Sequence, residues 1–173
     1  MLTEVELLAD EVCNQGRRLV KCKGDGNCGT RAIFKHFDRL DEGIKVGVPG
    51  LGSLESSKDI RALVVNHVTD LNFPLERREK IFSDIFLVAE RQPWARTLPR
   101  RKVRKLAVIK WADTIREQGQ HVGITFFRAF CDLVKADLEI VQVGADRGSK
   151  RWIATTRLAY DKVTDPRCKT KAQ

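Results

Sequence analysis

No stretch of the chain comes near the roughly 20 consecutive apolar residues that a membrane-spanning helix requires, so a bilayer protein is excluded and no membrane partner is expected. The opening residues, MLTEVELLADEV, have neither a basic n-region nor an apolar h-region. A secretory signal is therefore not expected, and a cytoplasmic or nuclear setting is. No CxxC pair occurs, and the 5 cysteines are odd in number with spacings that fit no zinc framework. Cys13, Cys22, Cys28, Cys131 and Cys168 thus read as reduced thiols, with no metal or cofactor implied. No internal repeat, low-complexity tract or linker divides the chain. What remains is 173 residues, 42% hydrophobic and 32% charged, enough for one domain over 1–173 with a real core. Lys and Arg total 32 against 23 Asp and Glu, and the resulting +9 attracts polyanions without specifying a fold.

The periodicities predict an α+β domain, a small sheet packed by helices. Thr3 and Glu6 form a capping-box pattern for a helix over 3–15, which Gly16 ends. Arg18 to Cys22 is a strand candidate, and Lys23 to Asn27 a turn. A helix starts at Cys28, with Ile33, Phe34, Phe37 and Leu40 on one face. Glycines and Pro49 make 41–57 a surface loop. Ser57 is expected to cap a helix to about Leu71, with Ile60, Leu63, Val64, His67 and Val68 along one side. Pro74 opens a helix to about Arg91, Pro93 and Pro99 break the chain, and a further helix runs from Arg100 to Arg116. Gly119 and Gly123 bracket a turn before an apolar helix, Thr125 to Ala136. Leu138 to Val143 and Trp152 to Thr156 complete the expected sheet with 18–22.

The stretch Gly24-Asp25-Gly26-Asn27-Cys28 carries the most chemistry. A thiol attacks as its thiolate, and a cysteine at a helix N-terminus sits in a field that favours that form. The preceding turn can aim backbone N–H groups at an oxyanion, and its glycines let the chain bend tightly. The bland alternative is an ordinary turn followed by a buried helix, and on these residues alone the two stand about level.

GDGNC followed by Arg31-Ala32 resembles the active-site signature of the ovarian-tumour (OTU) family of cysteine proteases. Asp59 to Val64 resembles the family's helix with a Leu-Arg pair, and Trp111 to Val143 its glycine turn, apolar helix and core strand. The likeness covers about 18–143. It implies a papain-like fold and a deubiquitinase or viral polyprotein protease, with Cys28 as nucleophile. Asp25, Gly26 and the Cys28 amide would shape the oxyanion hole, with Asn27, Arg151 and Trp152 at the binding surface. The implied partner is ubiquitin, a ubiquitin-like modifier or a polyprotein. Two departures stand out. Gly29-Thr30 replaces the usual apolar or aromatic pair, although Cys-Gly is similar to the arterivirus papain-like proteases. Gln120-His121-Val122-Gly123 stands where Trp-Gly is common.

The family's catalytic histidine lies near the C-terminus before an aromatic residue, and here that place holds Arg151-Trp152. Arginine does not accept a proton at neutral pH. The histidines are His36, His67 and His121. His36 lies about 12 Å along the helix from Cys28, too far for contact. His67 reads as a structural histidine, and His121, in a glycine-flanked turn, is the outside candidate for the base. Three explanations stay open: a catalytically silent binding module for ubiquitin or RNA, a chain cut before its histidine, or His121 acting in altered geometry. With Arg151 in the histidine's place, little peptidase turnover is expected. Finally, 91–112 carries eight cations and no acid, with Trp94 and Trp111 at its flanks. Arg100, Arg101, Lys102, Arg104 and Lys105 are its centre. It reads either as a weak RNA or polyanion surface or as a solvated helix face with Leu106, Val108, Ile109 and Trp111 turned inward.

Overall fold

The structure, a computed structural model, describes residues 6, 26–37, 56–145 and 151–160, with the side chains of 37, 141–145 and 151–155 outside that description. The expected helix over 3–15 (save its residue 6), the strand over 18–22 and the loop over 41–57 (save 56 and 57, which begin a helix) lie outside the described residues. Among those described, helices dominate: α1 (Cys28–Phe37), α2 (Ser57–Thr69), α3 (Leu75–Glu90), α4 (Arg100–Arg116) and α5 (Ile124–Val134). A 3-10 turn, Pro93–Thr97, joins α3 to α4. Strands β1 (Leu138–Ala145) and β2 (Arg151–Leu158) pair antiparallel, with Leu138 opposite Leu158 and Ala145 opposite Arg151. The molecule is of the α+β class, with a two-stranded sheet among the described residues.

Local chemistry sets the helix ends. Ser56, one residue before the expected cap, starts α2: its Oγ accepts from the Lys58 amide at 3.3 Å, and its own amide donates to Asp59 Oδ2 at 2.8 Å. This reciprocal box satisfies two donors that a helix end leaves over. Ser57 is therefore the first helical residue. Prolines, which lack the N–H a helix interior needs, stand as N-caps of α3 and α4 at Pro74 and Pro99.

Helix α2 is the hub. It packs against α1, α4 and α5, while α3 packs against α4 and α5. Its apolar residues Ile60, Val64, Val65 and Val68 are fully buried. Across from them lie Phe82 and Phe86 of α3, Val103 and Ala107 of α4, and Phe126, Ala129 and Phe130 of α5. Spacings of three and four place these side chains on one face of each helix. Phe82 meets the half-buried Trp111 edge to face, 4.9 Å between ring centres, an arrangement that adds to simple burial. On α4, Val108 turns inward as the periodicity predicts. Leu106 and Ile109 are exposed, because the face of α4 that meets α2 and α3 runs through 103, 107, 108, 112 and 115.

Phe82 is wholly buried, and Phe82→Ala leaves a cavity that this close-packed centre fills only partly. Chemical denaturation should show a loss of about 3–5 kcal/mol with an unchanged m-value. The exposed Leu106→Ala should stay within about 0.5 kcal/mol.

Candidate active site

Cys28 is the first residue of α1 and is half-buried. The preceding Asn27 begins the helix: its carbonyl accepts from the Arg31 amide at 2.9 Å and from Thr30 Oγ1 at 3.0 Å. An asparagine there ordinarily turns its side chain back to cap the first amides. Here the Asn27 Oδ1 accepts from Arg61 at 2.9 Å and from the Gly119 amide at 3.1 Å. The Asn27 side chain thereby ties the start of α1 to α2 and to the 117–123 segment.

Arg61 is the side chain that sequence reading missed as a site residue. It lies on α2, only 1% exposed, and is the largest wholly buried side chain among the described residues. One terminal nitrogen donates to Ile115 O at 3.0 Å. The other donates to Gly26 O at 3.1 Å, Asn27 Oδ1 at 2.9 Å and Gln120 O at 2.5 Å. Burial pushes its guanidinium below the ordinary value, and negative charge on Cys28 pushes it back up. Arginine still keeps its proton, so a cation stands behind the Cys28 turn. Its signal in the sequence was its position: Arg61 follows the buried Ile60 and precedes Val64 and Val65, on the inward side of α2.

The 117–123 segment lies directly on this turn. Gly26 has φ +80°, and a Cβ on it would stand 1.6 Å from Gly119 O. Both features demand glycine. A Cβ on Gly29 would stand 2.6 Å from Val122 Cγ2 and 3.2 Å from Phe127 Cζ. Val122 and Phe127 thus take the space that a side chain at position 29 would need. His121, exposed, sits between Gln120, which Arg61 holds, and Val122, which Gly29 receives. Among the described residues no histidine hydrogen-bonds the Cys28 thiol.

The other predicted positions are less concentrated. Asp25 lies outside the described residues. Arg151 and Trp152 start β2, opposite Ala145 and Gly144, with side chains outside the description. His36 is exposed on α1. His67 is occupied structurally: its Nε2 lies 2.7 Å from Asp132 Oδ2, Arg77 Nε donates to Asp132 Oδ1 at 2.7 Å, and its ring meets Phe73 edge to face.

The basic segment proves less free than its local sequence suggests. Arg100 and Arg104 both donate to Glu90 Oε1, at 2.9 and 2.7 Å, and Arg104 also pairs with Glu79. Those bonds hold the Glu90 carboxyl below its usual range. The acids come from α3, and they offset cations that would otherwise oppose the helix dipole at the start of α4. Arg101, Lys102 and Lys105 are exposed, as is Trp94, while Trp111 is half-buried.

Comparison with family models, curated proteins and solved structures returns no match for this chain.

Two predictions follow from this geometry. Gly26→Ala combines a left-handed backbone with a clash against backbone, and its melting should reveal a loss of at least about 2 kcal/mol. Gly29→Ala meets side-chain atoms that can shift, and should cost less. The second concerns thiols. Burial, then the negative charge of Asp137, pushes Cys131 up to about 12. At pH 8 iodoacetamide should modify Cys28 and spare Cys131 until the protein is unfolded, as read by mass spectrometry. Above about pH 9 the unfolded chain loses a Cys131 proton that the folded chain keeps, so stability falls as pH rises. Cys131→Ala should flatten that decline.

Proposed function

We propose that the chain is a cysteine-dependent peptidase of the ovarian-tumour kind, acting on the carbonyl at an isopeptide or peptide bond of a ubiquitin-type modifier. The observation that supports this reading is the setting of the turn: Cys28 is the half-buried first residue of α1, and the buried guanidinium of Arg61 donates to Gly26 O and Asn27 Oδ1 immediately before it. A nucleophile and an oxyanion donor then come from one residue, and the cation of Arg61 stands behind both. In the reaction the thiolate adds to the carbonyl carbon, the oxygen takes the negative charge, and the C–N bond breaks. The amine leaves with a proton. Water then hydrolyses the thioester and restores the thiol.

The protons need a carrier. His67 is held by Asp132 and His36 lies far along α1, which leaves His121, the neighbour of the Val122 that meets Gly29, as the candidate. We assign it the transfers, in place of the family's C-terminal histidine. The silent binding module remains the second reading, favoured by the absence of a histidine bond to the Cys28 thiol among the described residues and by Arg151 in the family's histidine place.

A ubiquitin-based fluorogenic substrate and an electrophilic ubiquitin probe separate the two. Under the peptidase reading Cys28→Ala abolishes turnover and covalent capture. His121→Ala lowers kcat by about 10²- to 10⁴-fold, the usual worth of general acid–base help, and Arg151→His changes little. An inert wild type that gains activity on Arg151→His establishes the silent reading instead. Turnover that survives Cys28→Ala overturns both.

A further inference from the structure

The side chain with the strongest claim to a role beyond packing is Arg61. A buried cation is expensive to desolvate, and it is found where acceptors surround it. Its acceptors are not on its own helix. They are Gly26 O and Asn27 Oδ1 on the Cys28 turn, Ile115 O in the last turn of α4, and Gln120 O midway along the α4-to-α5 connection. Among the described residues no acidic side chain bonds it, so carbonyl and amide dipoles surround its charge beside Cys28.

We infer that Arg61 is a positioning residue for chemistry at Cys28: its guanidinium supplies positive field at the thiol and clamps the His121-bearing segment to the nucleophile turn. This rests on the reading of Cys28 as nucleophile. The same guanidinium holds Asn27 Oδ1 and Gln120 O, so one side chain joins the Cys28 turn to 117–123 and sets a charge beside both. The electrostatic coupling between Arg61 and Cys28 agrees with this placement.

The test compares alkylation of Cys28 by iodoacetate, an anion, with alkylation by neutral iodoacetamide, at low salt, followed by mass spectrometry. The ratio of the two rates reads the local potential and is insensitive to a general loosening of the fold. Arg61→Gln keeps a donor and removes the charge, and should lower the ratio roughly three- to tenfold. Arg61→Lys should retain most of it. A folded Arg61→Gln with the wild-type ratio overturns the inference. If Arg61→Gln does not melt cooperatively, the wild type is compared with a peptide spanning Gly24 to Lys35. A ratio in the folded protein at least about threefold above the peptide supports the inference, and an equal ratio overturns it. Cys28 inert to both reagents in the folded wild type overturns the nucleophile reading itself, and this inference with it.

Discussion

One buried guanidinium organises the described part of this molecule. Arg61 sits on α2, which packs against α1, α4 and α5, and reaches both the turn before α1 and the connection between α4 and α5. Taking that charge out of water is costly, and four oxygen acceptors offset the cost only if they stay converged. The helices around α2 are thereby constrained at their ends as well as along their apolar faces. The start of α1 at Asn27, the seating of Val122 over Gly29 and the approach of Gly119 to Gly26 all lie around that convergence.

Much of the helical framework was legible in the sequence. Pro74 and Pro99 announce the starts of α3 and α4, and the spacing of Ile60, Val64 and Val68 gives the inner face of α2. The β1 and β2 strands follow from their runs of β-branched residues. The misreadings have a common cause. Leu106 and Ile109 are apolar, and periodicity alone does not say which of two apolar arcs a helix turns to its neighbours. Ser56 and Ser57 are chemically alike, and only the reach of Asp59 decides which one caps.

The candidate site was legible to a different degree. Cys28 and its glycine turn stand out because their chemistry is local in the chain. Arg61 does not, because its meaning comes from acceptors 34 to 59 residues away. The basic segment shows the same limit in reverse. Its charges look unopposed in a linear reading, yet Glu79 and Glu90 reach them from the preceding helix. Charge balance is a property of neighbours in space, and helix pairing supplies neighbours that the sequence window omits.

The link from Asn27 to Gly119 spans 92 residues. Contacts so distant along the chain close late in folding, because the loop between them must first lose its freedom. During synthesis the Cys28 turn therefore leaves the ribosome well before the partners that shape it. Until residues 115–120 have emerged and docked, Asn27 Oδ1 lacks its Gly119 donor and Arg61 lacks two of its acceptors. The order of translation thus delays assembly of the site until the domain around it is nearly complete.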